Sequence, residues 1–580
     1  MAVILGITNA NAASVQTMYQ QVQHRGQDHF HTESLAGNFV ATAVNAKDPV
    51  YTSSSGYYKE KNLVVAIAGA IYNQQQTALS AQQIAQLYQQ KGLTELLKSI
   101  QGAYILCILT PEYLHLVRDA TGQRTVYYYQ TAQQLAFCIE SKGIQALPQF
   151  SPQLNIKALF QYFSYSFVPM QDTMLEGIKE LPAGFCLNYN LQKKSCQLER
   201  FFKLECFDKH PVEDINYWKE RIKNAIHQEI DNKLKGQKEV GIFLSGGLDS
   251  SIITAQIAQR HVHPVHTFSI HFGKKYPNEL EYAQSVARRY QTIHHEVEIK
   301  PKDFVPNLYQ TIWHLDDPIG DPITIPNFEL AKYAAQHVPI IFNGEGSDPC
   351  FGGPKNIPML LNHWYGGIER EKNFREKAYL ASYRRGYKHL RTLLAPHLVE
   401  QLKEEEYLED ILVPFFKEPQ LNFLDKLMSI NIRLKGAHLI LPKVERMLGA
   451  SGLPAVAPFF TQAVVQASME MPSQYKLNKG IEKYILKEIF AQDLPLSIIE
   501  RPKSGMRVPV RHWFQGELKH YKKKLLHKKN IQQAGIFNPE TIKLLLNYSN
   551  KKGLERHGLL TWMIMTFEIW RQIFIEKQTT

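Results

Sequence analysis

GIFLSGGLDSS, residues 241–251 of the 580-residue chain, runs from apolar side chains into two glycines, a carboxylate and a cluster of hydroxyls. Val240, Ile242, Phe243 and Leu244 read as a short buried strand. The residues that follow Asp249, SSIITAQIAQR, carry helical apolar spacing. Gly246 and Gly247 therefore fall at a strand-to-helix turn, where backbone N–H groups converge on an anion. Ser245, Ser250 and Ser251 add hydroxyl donors. Asp249 would repel a phosphate unless a divalent cation bridges the two. The spacing is not the Walker pattern, which needs a lysine after the last glycine.

Outward from this turn, a second one has the same character. NGEGSDPCFGG (343–353) follows the apolar strand VPIIF, so Asn343 and Gly344 also lie at the carboxyl end of a strand, the edge where ligands bind in α/β sheets. Asp348 supplies a second carboxylate for a magnesium ion, and Glu345 on the same loop is placed to act on a nucleophile. RPKSGMRVPVRHWF (501–514) sets Lys503 and Arg507 in a loop bounded by Pro and Gly, where cations can neutralise charge on departing phosphates. SGGLDSS after a strand resembles the PP-loop of the N-type ATP pyrophosphatases. That resemblance implies binding of the pyrophosphate part of ATP and cleavage between its α and β phosphates.

A chain of 580 residues implies two or more domains. No apolar run approaches the roughly 18 residues needed to cross a membrane. The start, MAVILGITNANAA, lacks the basic residues of a signal peptide and reads as a first strand. Six cysteines without CxxC spacing speak for a reducing cytoplasm and against structural zinc. The net charge of +12 gathers late, in LKHYKKKLLHKKN (518–530). With few aromatics for base stacking, that run reads as a solvated helix face rather than a nucleic-acid patch.

Residues 1–205 are rich in short β-like runs (VVAIAGAIYN, AYILCILT, EYLHLVRD, LAFCIE) with fewer helices such as SAQQIAQLYQQKG, predicting an α+β layered domain. From 206 to 580 strands and helices alternate (VGIFLS, VHTFSI, HHEVEI, PIIFNG), predicting a parallel sheet covered by helices. Helical periodicity dominates from about 357.

Taken together, HRGQD (24–28), VRDATGQRTVYYY (117–129), IESKGIQAL (139–147), MLEGIKELPAG (174–184), SGGLDSS, GEGSD, KVER (443–446), PFF (458–460), RPKSGM (501–506) and LLTWMIMTFEIW (559–570) resemble class B asparagine synthetases along nearly the whole chain. The resemblance implies an N-terminal Ntn-hydrolase-like domain, which in the family releases ammonia from glutamine. It implies a C-terminal ATP-pyrophosphatase domain that adenylates a carboxylate and lets ammonia displace AMP. By the same resemblance the backbone near Phe243, Ile270 and Gly344 holds adenosine, and Ser245, Gly247, Asp249 and Ser250 hold pyrophosphate. Asp249 and Asp348 ligate magnesium, Lys503 stabilises charge during adenylation, and Glu345 handles the incoming amine.

Several positions depart from the family pattern. The family's N-terminal cysteine nucleophile is replaced by Ala2. Its glutamine-binding loop Asn-Gly-Glu-Ile-Tyr-Asn becomes Ala68-Gly69-Ala70-Ile71-Tyr72-Asn73, and the aspartate that grips the glutamine amine becomes Ser80. In the synthetase half, Pro349-Cys350 follow GEGSD, and the arginine of the family's acceptor segment becomes Val456. The expectation is an ATP-dependent, AMP- and pyrophosphate-forming amide ligase that does not use glutamine. Its partners are small-molecule or peptide carboxylates and amines, with no membrane, and a homodimer is left open. The alternatives are an asparagine synthase using free ammonia, an internal cyclase like the β-lactam synthetases and lasso-peptide cyclases, and a PP-loop protein acting on tRNA or serving as a silent scaffold. Glu345 argues against the β-lactam branch, where a tyrosine stands. The missing cysteine pair argues against tRNA thiolation.

Overall fold

The computed structural model describes residues 2–45, 56–204, 214–353, 356–365, 373–382, 386–404, 407–501, 506, 508–548 and 555–577. The N-terminal part is a layered α+β domain of the expected Ntn-hydrolase-like kind. Its strands are β1 (Ala2–Ile7), β2 (Asp28–Leu35), β3 (Asn38–Val44), β4 (Gly56–Glu60), β5 (Leu63–Asn73), β6 (Ile100–Leu109), β7 (Tyr113–Arg118), β8 (Tyr127–Gln130), β9 (Leu135–Cys138), β10 (Ile178–Glu180), β11 (Phe185–Asn190) and β12 (Ser195–Arg200). They form two antiparallel six-stranded sheets, ordered β10-β8-β9-β1-β3-β2 and β12-β11-β7-β6-β5-β4.

β5 shows why the sequence builds layers. Successive side chains of a strand point to opposite faces. Val64, Ala66 and Ala68 enter the core shared with β1, while Leu63, Val65 and Ile67 pack with Ile84, Ala85 and Leu96 of the helix Ala81–Ser99. Both faces are covered, so the strand reads as a continuous apolar run. Ser80 begins that helix with a capping box, its hydroxyl accepting from Gln83 N at 3.3 Å.

The second part contains a five-stranded sheet of β13 (Val240–Phe243), β14 (Val265–His271), β15 (Ile293–Glu298), β16 (Ile341–Phe342) and β17 (Ala455–Val456), ordered β15-β14-β13-β16-β17. Each adjacent pair is parallel. From β13 the chain steps through β14 to β15 on one side, then returns to place β16 on the other. The order reverses between β13 and β16, and Ile242 pairs with Phe342 there. The two glycine-rich turns therefore emerge side by side at the switch point, the crevice where α/β sheets bind ligands. Beyond β16 the chain is mostly helical. One stretch, Asn431–Ile440, is wound as a π-helix and runs directly into the helix Leu441–Gly449. Among the described residues, no helix is long and apolar enough to cross a membrane.

Candidate active site

The turn after β13 is pinned by its own hydroxyls. Ser245 N donates to Ser250 Oγ at 3.1 Å, and Ser250 Oγ donates to Gly247 O at 3.2 Å. Gly247 stands at the N-cap of the helix Leu248–Arg260 with no side chain closing that end, so the first N–H groups face the crevice. Gly246 has φ 78° and lies behind the turn, where a Cβ would come within 2.8 Å of Ala283 N and Glu279 O. A side chain there is excluded by both backbone conformation and space. Gly344, on the neighbouring turn, has Ser250 N 2.7 Å from where a Cβ would sit, so the two turns press backbone to backbone.

Between them opens a cavity of about 470 Å³. It is lined by Phe243, Ser245, Gly247, Asp249, Ser250, Ile270, Asn343, Gly344, Glu345 and Asp348, among others. Asn343 is buried, and its Oδ1 accepts from Glu345 N at 3.0 Å, fixing the loop that carries Glu345. Of the residues singled out from sequence, Gly246 supports the turn from behind without lining the cavity. Lys503 and Arg507 lie outside the described residues.

The centre of the site is a lysine that sequence reasoning missed. Lys483 Nζ lies 2.6 Å from both carboxylate oxygens of Asp249 and 2.6 Å from Asp348 Oδ1. Ser347 Oγ donates to Asp249 Oδ1 at 2.7 Å. The Lys483 side chain is 2% exposed, and its backbone adopts φ 55°. It stands 234 residues from Asp249 in the chain. A single lysine at a helix start carries no local signal, and only the tertiary fold reveals it. Among the described residues, three more cations reach the cavity: Lys443, Lys487 and Arg501. Lys443 Nζ is 3.0 Å from Asp321 Oδ2, and Arg501 pairs with Glu279 while its guanidinium lies 4.0 Å from the Tyr282 ring centre. Among the described residues, no cluster of three or more His, Cys, Asp or Glu side chains suits a metal.

The segment that carries Val456 lies directly behind the second turn, where Val456 O accepts from Asn343 N at 2.9 Å. Val456 is a buried residue of β17, and Phe460 packs beneath Gly346 and Gly436. No residue from 454 to 461 lines the cavity.

Ala2 sits at a much smaller hollow of about 10 Å³, the lower limit for one water. Ala68, Gly69 and Ile105 line it from one side, and Arg25, Arg124 and Glu445 from the other. The Arg25–Glu445 ion pair crosses between the two parts of the chain here. The late basic run forms the helix Lys519–Leu525, with Lys519, Lys523 and Lys524 exposed and Lys522 buried 5.6 Å from the Phe514 ring centre.

A family model described as asparagine synthase matches residues 221–572, and one described as a glutamine amidotransferase domain matches residues 1–202. Asparagine synthetase [glutamine-hydrolyzing] 1 of Bacillus subtilis is 24% identical over 97% of this chain and 94% of its own length. Asparagine synthetase B [glutamine-hydrolyzing] of Escherichia coli is 25% identical over 77% of this chain and 70% of its own. The solved allosteric regulatory enzyme of purine biosynthesis overlaps at a TM-score of 0.26 and 12% identity, covering 51% of this chain and 80% of that one.

Proposed function

Because the chain belongs to the asparagine synthase family of ATP-dependent carbon–nitrogen ligases, we propose that it adenylates a carboxylate and joins it to ammonia or another amine without drawing on glutamine. The observation that carries this is the convergence of Asp249 and Asp348 on one ammonium beside the open turn Ser245–Gly247.

Magnesium fits that donor set. It is a hard ion that takes one or two carboxylates together with substrate phosphates, and the two carboxylates are already within reach of a single nitrogen. Bound there, it would supply positive charge to the pyrophosphate. Lys483 neutralises the same two carboxylates when no other cation does. Backbone at Phe243, Ile270 and Gly344 holds the adenosine, and Ser245, Gly247 and Ser250 hold the phosphates around the turn that Gly246 permits. The acceptor carboxylate oxygen attacks the α-phosphorus, and the bond from that phosphorus to the bridging oxygen breaks, releasing pyrophosphate. Lys503 meets the charge that develops. The amine nitrogen then attacks the acyl carbon, its proton passes to Glu345, and AMP leaves with the acyl oxygen. We assign this chemistry to residues 206–580 and the amidotransferase-like fold to 1–205. The free thiols of Cys107, Cys138, Cys186, Cys196 and Cys350 suit a cytoplasmic protein.

The relatives' names describe glutamine hydrolysis. Here Ala2 and Ala68 border a hollow too small for an amino-acid side chain, and the Arg25–Glu445 pair closes its far side. A second reading, an aspartate-specific synthase fed by free ammonia, draws support from Lys487 and Arg501, further cations at the cavity that could meet the charge Val456 does not.

The decisive experiment measures ATP–pyrophosphate exchange over a panel of carboxylates, then amide formation with ammonium or glutamine as nitrogen source. Exchange with AMP as product, and amide from ammonium alone, is the expected result. Release of ADP would sink the adenylation reading. Glutamate formed from glutamine well above background would sink the claim about nitrogen.

A further inference from the structure

Lys443 and Asp321 face each other in the nucleotide cavity, and both are hung from the N-terminal domain. Lys443 lies on the helix Leu441–Gly449. Two residues on, about 200° round the helix, Glu445 points away from the cavity and pairs with Arg25, and with Arg124 at 3.3 Å. Arg446 follows, its Nη1 2.7 Å from Glu140 Oε1 and its Nη2 donating to Ile139 O at 2.8 Å. In the π-helical turn before it, Ala437 O accepts from Arg118 Nη2 at 2.9 Å. Asp321 ends a loop fastened to the same domain. Asp316 accepts from Ser141 N at 2.8 Å and pairs with Lys142 at 2.7 Å, Asp317 accepts from Met174 N at 3.0 Å, and Gly320 N donates to Ser166 O at 2.8 Å.

Buried ion pairs are poor sources of stability, but they fix one geometry because a misplaced partner leaves a charge uncompensated. Here they lie on both elements that carry the Lys443–Asp321 pair. We infer that the N-terminal domain is the frame that aims Lys443 into the cavity, with Arg25 and Glu445 as positioning residues acting through that lysine. The inference rests on the cavity being the ATP site. It gives residues 1–205 a task that needs no glutamine.

The test is the affinity of the full chain for MgATP, measured by titration calorimetry. Lys443→Ala should weaken binding on the order of tenfold, as for one lost charge contact. Arg25→Ala should weaken it on the order of fivefold, with Arg25→Lys recovering most of that. In a Lys443→Ala background, Arg25→Ala should cost nothing more, since the residue through which it acts is gone. If Arg25→Ala unfolds the chain, the pair Arg25→Gln with Glu445→Gln removes both charges together and goes through the same background comparison. Parent-like binding in these variants, or an undiminished loss in the Lys443→Ala background, overturns the inference alone. A parent chain that binds no MgATP overturns the nucleotide reading as well.

Discussion

Asp249 and Asp348 do different work from the hydroxyls around them, because each supplies a hard anionic oxygen to the same point. Either Asp→Asn change should abolish magnesium-dependent pyrophosphate release while circular dichroism stays that of the parent. Normal turnover in either variant at ordinary magnesium would remove the carboxylate from the reaction. Glu345 and Lys503 are separable by step. Lys503→Ala should slow pyrophosphate exchange by on the order of 100- to 1000-fold, the usual loss for one electrostatic donor. Glu345→Gln keeps the size of the side chain but cannot take a proton, so exchange should persist while amide formation fails. The opposite pattern would reverse the two roles. What could be read of the site from sequence follows from how each residue signals itself. Asp249 and Asp348 stand beside glycines whose turns announce a strand end. Lys483 looks like any helix lysine, and Lys443 shows itself only as part of the KVER resemblance, which assigns it no contact with the cavity.

At the scale of single elements, β14 and β15 carry a histidine group at the end of the sheet away from the two glycine-rich turns. His266 Nδ1 and His295 Nε2 are 3.0 Å apart, and the His295 and His337 rings lie 4.5 Å apart. Burial first, and then the facing imidazoles of His337, His266 and His294, pull the His295 pKa down to about 4. Its folded value lies below its unfolded one, so the unfolded chain binds more protons between about pH 6.5 and 4. Stability is present above that window and is lost as pH falls through it. His295→Gln should therefore flatten the fall in urea midpoint between pH 7 and 5. An equally steep fall in the variant would mean that other groups set the acid limb. The strands themselves were legible as short β-prone runs, unbroken by polar side chains in VGIF and holding Val265, Phe268 and Ile270 among the buried hydroxyls of Thr267 and Ser269 in VHTFSI. The π-helix Asn431–Ile440 was not, since its apolar spacing suits an ordinary helix equally well and its register answers to Arg118 and Phe460 from elsewhere in the fold.

For the whole molecule, the two-part layout was readable from composition, because alternating strands and helices follow a region of crowded short strands. How the parts meet was not. Their boundary buries Arg25, Glu140, Lys142, Asp316, Glu445 and Arg446 against one another. A charge cut from such a cluster leaves its partner buried and unpaired, a loss of about 3–5 kcal/mol. The two parts should then melt together, and scanning calorimetry should record one transition whose calorimetric and van't Hoff enthalpies agree. Two resolved transitions would show that the parts unfold independently. The same cluster bears on heredity. A lineage can let the chemistry of residues 1–205 lapse one substitution at a time, yet discarding that stretch outright would take both Arg25 and Arg124 from Glu445 and Glu140 from Arg446 in a single step. In such a design a catalytic task and the polypeptide that carries it are separable: substitutions can erase the first, one at a time, while the second is held in place by its charges.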